Sequence, residues 1–264
     1  MRPFYADKNM FDRICPEGYF PKTVLRRING FYYDSEYQRL TSMKECEHEV
    51  KKYHKKTLVV KPTIDGMSGR LVKVLKPNDN ISLTEIEKME GNDFIIQECV
   101  EQHPDIARFN PSSVNTLRIA VYRSVKDDKV HIMNSIIRIG SEGSETDNAH
   151  QGGRFVLIDK FGKLGHQAFD QYGRSVVVHN NTDFSNDYFI PGWDNICDFS
   201  KTICQYVPHH RLLALDVVLK KDGTPCLLEF NVEGFSMWLF QFTGNNAFGE
   251  FTDEILEYCH SRFQ

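Results

Sequence analysis

The sequence holds no C-x-x-C pair, although it has seven cysteines, at positions 15, 46, 99, 197, 204, 226 and 259. Zinc sites and disulfide frameworks need paired, closely spaced sulfurs, so these scattered, odd-numbered thiols predict reduced cysteines in a cytoplasmic compartment. The stretch Met1 to Lys8 lacks an apolar h-region, and no later segment reaches the roughly 18 apolar residues of a membrane span. The expectation is a soluble, unsecreted chain without membrane insertion. Neither sign of charge dominates: 32 Lys+Arg stand against 36 Asp+Glu, a formal net charge of -4. Nucleic-acid and anionic-membrane surfaces require clustered positive charge. The one dense basic stretch, Lys51 to Lys56, fits a solvated helix end, so no nucleic-acid partner is expected. Internal repeats and low-complexity linkers are also missing. Tryptophan is limited to Trp193 and Trp238, read as packing residues.

What is present is enough apolar sequence, 41% of 264 residues, for one compact domain or two intimate subdomains. Residues 1–56 read as a mostly helical N-terminal segment. Within it, Ser35 with Gln38 can form a capping box, ahead of a helical stripe of Tyr37, Leu40, Cys46 and Val50. Residues 57–102 form a first α+β unit, with strands Thr57 to Val60, Leu71 to Leu75 and Phe94 to Ile96 and a short helix opened by Ser82 and Glu85. Residues 103–264 are strand-rich. Thr116 to Tyr122 and Val130 to Ile139 alternate as a hairpin, as do Leu212 to Leu219 and Pro225 to Phe230. Short strands fall at Phe155 to Asp159, Leu164 to Phe169 and Ser175 to Val178, and helices at Trp193 to Tyr206 and Ala247 to Arg262. The fold class is therefore α+β.

Four clusters carry chemistry. Asp216 lies inside the apolar run Leu212 to Leu219, where an ionised carboxylate needs a cation or hydrogen-bond donors. A metal and a structural ion pair with an arginine are the two candidates. On the next strand Glu229 and Asn231 share a face, because strand side chains alternate with a period of two. Three oxygen-bearing side chains without His or Cys suit a hard cation, and Mg²⁺ keeps positions for water and phosphate. The second cluster is Lys61 at a strand end, followed by a turn holding Gly66, Ser68 and Gly69. Such a turn can present backbone N–H groups to a phosphate, or it is a plain hairpin; it is no P-loop, since G-x-x-x-x-G-K-[ST] is missing.

The third cluster, Phe94 to Glu101, can offer backbone hydrogen bonds to an adenine edge and a carboxylate to a ribose, or be an edge strand with solvated acids. In the fourth, Arg118 sits in an apolar strand with Arg138 on the partner strand, and Asp147-Asn148-Ala149-His150-Gln151-Gly152-Gly153 follows. A guanidinium there suits a phosphate or carboxylate gripped by two prongs, or else pairs with Asp216. The aromatic stretch Asn231 to Gly244 either lines an acceptor site or packs the core. His209-His210 read as a turn.

Taken in order, Asp7-Lys8-x-x-Phe11, Val60-Lys61-Pro62, the Asp65 to Gly69 turn, Asn115-Thr116-x-Arg118, Asp147-Asn148-x-x-x-Gly152-Gly153, Leu215-Asp216-Val217 and Leu228-Glu229-x-Asn231 resemble an ATP-grasp protein. The closest resemblance is to the sugar-transfer-associated ATP-grasp group. It implies two α+β subdomains with ATP bound between them and a short helical N-terminal extension. It also implies that Lys61 contacts the nucleotide phosphates and that the Gly66–Gly69 turn folds over them. Glu98, Cys99 and Val100 would line the adenine site, the last two through backbone atoms, and Glu101 would meet the ribose. Arg118 would sit by the transferred phosphate, Asn148 near the phosphate and acceptor end, and Asp216, Glu229 and Asn231 would hold one or two Mg²⁺, with Asp216 also part of the nucleotide site.

The activity so implied is an ATP- and Mg²⁺-dependent carboxylate–amine ligase working through an acylphosphate, with a carboxylate and an amine or sugar acceptor as partners. A cell-surface polysaccharide or its precursor is the implied target, and a homo-oligomer is compatible with the sequence. A kinase of the same fold and a non-catalytic nucleotide-binding scaffold are the competing readings. One departure stands out: many ATP-grasp ligases carry a further α/β domain ahead of the nucleotide-binding part, whereas about 56 residues here precede the first clear strand. That points towards an unusual or macromolecular acceptor.

Overall fold

The computed structural model describes residues 2–64, 72–79 and 82–262. The Asp65 to Gly69 turn, with Gly66, Ser68 and Gly69, lies outside them, as does the start of the strand expected from Leu71. The chain divides into two compact units, Met1–Val100 and Glu101–Gln264.

The first unit opens with α1 (Arg2–Ala6), a 3-10 turn at Lys8–Met10 and α2 (Phe11–Ile14). The strands β1 (Thr23–Ile28), β2 (Phe31–Tyr33) and β3 (Arg39–Leu40) follow, then α3 (Met43–Lys51), β4 (Leu58–Pro62), β5 (Lys73–Leu75), α4 (Leu83–Glu90) and β6 (Phe94–Glu98). The six strands form one antiparallel sheet in the order β3-β2-β1-β6-β4-β5. Its apolar face gathers Leu58, Val60, Phe94 and Ile96 against Cys46 and Val50 of α3 and Leu83 and Ile86 of α4.

This corrects the expectation of a mostly helical segment over residues 1–56. Three of its stretches are strands of the same sheet as β4 and β6, and the segment belongs to the first unit. The reason is local. Asn29 and Gly30 take φ of 49° and 82° between Ile28 and Phe31, which pair directly. Two left-handed residues make the tight turn whose twist matches paired strands. Ser35 and Gln38 likewise form no capping box. The Asp34 carboxylate accepts from the amides of Glu36 (2.9 Å) and Gln38 (2.8 Å), and Tyr37 is left-handed at φ 62°, which a helix cannot contain. The capping box belongs to Ser42 and Glu45, seven residues later, at the start of α3. The Ser82 cap of α4 occurs as expected.

The second unit comprises α5 (Pro104–Ala107), β7 (Leu117–Arg123), β8 (Val130–Ile139), β9 (Arg154–Ile158), β10 (Leu164–Phe169), β11 (Ser175–Val176), β12 (Val178–His179), β13 (Thr182–Asp183), α6 (Trp193–Gln205), β14 (Leu212–Leu219), β15 (Pro225–Asn231), α7 (Trp238–Phe242) and α8 (Thr252–Arg262). Seven strands pair antiparallel in the order β11-β10-β9-β8-β7-β14-β15, which leaves β15 at an edge. The final helix is shorter than expected, because a 3-10 turn at Gly249–Phe251 precedes it.

Both faces of the central strands are covered, which is why β7 and β14 read as near-continuous apolar runs. The helix α6 packs across β7, β8, β14 and β15 and buries Ile196, Ile203 and Cys204. On the other side Leu239 and Phe240 of α7 meet Ala120, Ile136 and Phe155. Each large apolar side chain so buried contributes about 1.5–3 kcal/mol. The start of α8 is pinned by Glu254, whose carboxylate accepts from Tyr122 Oη (2.9 Å), Ser124 Oγ (2.8 Å) and the Val125 amide (2.7 Å). Among the described residues no helix is long and apolar enough to cross a membrane.

Candidate functional site

Strand register assembles a charged row on the face that α7 partly covers. Asp216 of β14 pairs directly with Arg118 of β7 on one side and with Glu229 of β15 on the other. Directly opposed residues of antiparallel strands project from the same face. Arg118 Nε donates to Asp216 Oδ1 at 2.5 Å and Nη2 to Oδ2 at 2.9 Å, both residues being buried at 7% and 4% exposure. The two-pronged ion pair weighed as an alternative role for Arg118 is therefore present. It does not exhaust the carboxylate.

Arg138 of β8 lies two residues beyond Ile136, the direct partner of Arg118, and so on the same face. Its Nη1 reaches Asp216 Oδ2 at 3.4 Å, while Nη2 donates to Asp147 Oδ1 at 2.9 Å. Asp147 Oδ2 in turn accepts from the Thr116 amide at 3.0 Å and from the Thr116 hydroxyl. A carboxylate has about four lone-pair positions, of which the arginines use three on Asp216.

Burial pushes the Asp216 carboxyl above its ordinary value; Arg118 and Arg138 pull it down, and Glu229 pushes it up again. Burial works against the charge on Arg138, but Asp147, Asp216 and Glu229 outweigh it and raise its pKa. Asp147, Asp216 and Glu229 thus set three carboxyls beside the guanidiniums of Arg118 and Arg138.

The donor chemistry fits magnesium. Among the described residues no three His, Cys, Asp or Glu are grouped to hold a metal unaided. Asp216 and Glu229 stand opposite one another, and Asn231 is next on the same face of β15. Asn231 Nδ2 donates to the Ala214 carbonyl at 3.2 Å, so its carboxamide oxygen is the atom that could meet a cation. Two carboxylates and an amide oxygen form the sparse, hard set that Mg²⁺ completes with water and phosphate.

Asn148 adjoins Asp147, is buried, and caps a 3-10 turn through Oδ1, which accepts from the His150 amide at 3.0 Å. The glycine pair that follows has a steric reason. A Cβ on Gly153 would lie 2.8 Å from the Asn148 carbonyl oxygen and 3.0 Å from that of Asp147. Only a residue without a side chain lets the chain recross there. Of the aromatic stretch, Phe240 is buried, Trp238 is half-buried against Phe155, Phe242 and His150, and Phe242 is exposed.

In the first unit Lys61 pairs with Ile95 near the end of β4, and the next residues tie that end to the chain's start. The Lys8 amide donates to the Thr63 carbonyl at 3.0 Å, and Asp7, buried, accepts from the Asn9 amide at 2.9 Å. Glu98 ends β6 with Lys56 3.6 Å away. The Cys99 amide donates to the Thr57 carbonyl at 2.8 Å, so that amide is committed to the strand rather than to a base. Val100 closes this unit, and Glu101 begins the second, exposed and paired with Lys221 at 3.2 Å.

Sequence reasoning passed over the part played by Asp147 and Arg138 together. Arg138 alone carries a signal, since it interrupts an apolar strand as Arg118 does, but nothing in the sequence joins it to Asp147.

The profile described as sugar-transfer associated ATP-grasp matches residues 2–255. The chain belongs to that family. No curated protein matches it in sequence. Among solved structures, D-alanine–D-alanine ligase from Bacillus anthracis aligns at 13% identity and a TM-score of 0.52, over 96% of this chain and 67% of the other. The ADP-bound N5-carboxyaminoimidazole synthetase from Staphylococcus aureus gives 8% and 0.52, over 91% and 50%. The ATP-grasp ligase PsnB, solved with a minimal precursor, Mg and ADP, gives 11% and 0.51, over 95% and 58%. At such identities the likeness speaks for the ATP-grasp fold, α+β as expected. This ATP-grasp chain spans about half the length of several solved proteins it matches, for instance 45% of an ADP-bound N5-carboxyaminoimidazole ribonucleotide synthetase.

Proposed function

We propose that the protein is an ATP- and Mg²⁺-dependent carboxylate–amine ligase acting through an acylphosphate in the cytoplasm, on an amine-bearing cell-surface polysaccharide or its precursor. The observation that carries this reading is the row Arg118, Asp216 and Glu229, its first two members buried, with Arg138 and Asp147 beside it, in a chain of an ATP-grasp family. The family name motivates the sugar part of the target.

In this reading Asp216, Glu229 and Asn231 hold the magnesium, which when bound supplies Lewis-acid stabilisation of phosphate oxygens. Arg118 adds a fixed positive charge where negative charge develops on the transferred phosphoryl group. Lys61 and the Gly66, Ser68 and Gly69 turn bind the nucleotide phosphates, the residues Glu98, Cys99 and Val100 take the adenine, and Glu101 takes the ribose. Asn148 orients the acceptor end. A carboxylate oxygen attacks the γ-phosphorus, the bond to the ADP oxygen breaks, and the acylphosphate forms; an amine then displaces phosphate to give the amide.

The test is to incubate the protein with Mg-ATP and mixtures of carboxylic acids, amino acids and amino sugars, with hydroxylamine as a trap. An acyl hydroxamate and ADP are expected. A phosphorylated hydroxyl with no hydroxamate would replace the ligase by a kinase.

A further inference from the structure

Arg118 and Arg138 look alike in sequence, but their contacts differ. Arg118 commits both prongs to Asp216, at 2.5 and 2.9 Å. Arg138 instead divides its guanidinium, with the shorter contact to Asp147 at 2.9 Å and the longer to Asp216 at 3.4 Å. A closed ring of bonds fixes that division. The Arg138 amide donates to the Thr116 carbonyl at 2.7 Å, the Thr116 amide and hydroxyl donate to Asp147, and Asp147 accepts from Arg138. Asp147 is also the residue before Asn148, in a turn closed by the Gln151 amide donating to the Asn148 carbonyl at 3.0 Å.

From this geometry we infer that Arg138 is a positioning residue, which with Asp147 couples the 147–153 loop to Asp216. It sets the carboxylate orientation for the cation and the placement of Asn148 in one step. A guanidinium is suited to the task because its planar fork fixes two acids at once, whereas an ammonium is a single point charge. The inference rests on the ligase reading for its consequence in catalysis, while its structural half stands apart.

The experiment compares the wild type with Arg138→Met, Arg138→Lys, Asp147→Asn and the Arg138→Met/Asp147→Asn double variant, all as full chains. Mn²⁺ binding is followed by water-proton relaxation, and amide exchange over 147–153 by mass spectrometry. Arg138→Met is expected to weaken Mn²⁺ binding by about 10- to 100-fold, the range for groups that orient a metal ligand, even though it removes a positive charge; unchanged or tighter binding would overturn the orienting role. It should also speed exchange of the His150 and Gln151 amides, and lower kcat with KM for ATP nearly unchanged. Arg138→Lys should restore Mn²⁺ affinity in part but leave the loop fast. The double variant should be no worse than the more severe single one, because both changes break one linkage.

Loop exchange at the wild-type rate in Arg138→Met, or losses that add in the double variant, would overturn the coupling. Should Arg138→Met fail to fold, Asp147→Asn, which keeps the shape of the side chain, decides the same question through Mn²⁺ binding, where an affinity at the wild-type level would overturn the coupling. A wild type that binds neither Mn²⁺ nor ATP would sink the ligase reading instead, with the exchange comparison still deciding the coupling.

Discussion

Arg118 and Asp216 sit directly opposite one another on β7 and β14, and the guanidinium grips both carboxylate oxygens. At 4% exposure the carboxylate has little water to replace that partner. Arg118→Met should therefore lower the unfolding free energy by about 3–5 kcal/mol, the cost of breaking a buried pair. Arg118→Lys should lose less. Urea titration followed by the fluorescence of Trp193 and Trp238, both in the second unit, measures this. A loss below about 1 kcal/mol would show that Arg138 alone suffices.

Glu229→Gln keeps the size of the side chain while removing one charge from the proposed cation set. ATP consumption should fall by about 100-fold or more, with the far-ultraviolet circular dichroism unchanged. Asp216→Asn should match it in rate. Unaltered ADP release in both variants would remove these acids from the chemistry.

Gly153→Ala probes the recrossing beside the Asp147–Asn148 peptide. The added methyl would lie 2.8 Å from the Asn148 carbonyl oxygen, and backbone cannot yield as a side-chain tip does. A stability loss of about 1–3 kcal/mol is expected, with a fall in turnover larger than that of Gly143→Ala, whose Cβ position is open and whose cost comes only from its left-handed φ of 75°. Thermal melts and ADP release on the two variants separate the cases.

The carboxylate of Glu254 predicts an acid limb. Burial by itself raises its pKa, but hydrogen bonds from Ser124, Tyr122 and the Val125 amide outweigh that and hold it below the ordinary value. A carboxyl depressed on folding stabilises the fold above its unfolded pKa, about 4.3, and that stability is lost as pH falls through the folded value. Glu254→Gln should cost about 1–2 kcal/mol at pH 7 and flatten the decline of melting temperature below pH 4.5. Parallel melting curves across pH 3–7 would refute this.

Much of the second unit was legible, because long antiparallel strands carry strong signals. The Lys126-Asp127-Asp128 and Lys221-Asp222-Gly223 turns separate apolar runs, and both hairpins form where expected. Once Asp216 and Glu229 lie on paired strands, alternation alone puts them on one face. The misreading of residues 23–40 came from weighing helical periodicity over turn chemistry. Asn29-Gly30 is the stronger signal, being a two-residue turn that only left-handed residues can make. The Asp147–Arg138 contact was beyond reach, because it depends on how a loop folds back on a strand, which no periodicity records.

β15 has one strand neighbour and β14 has two, so the proposed donors differ in freedom. Asp216 stands on a strand flanked on both sides, whereas Glu229 and Asn231 stand on an edge strand with a bulge between Glu229 and Leu227. The entropy lost on loading a cation would fall mainly on residues 225–231, which hydrogen-bond to a strand on one side alone. Affinity could then be tuned from the edge, by stiffening β15, without touching any ligand.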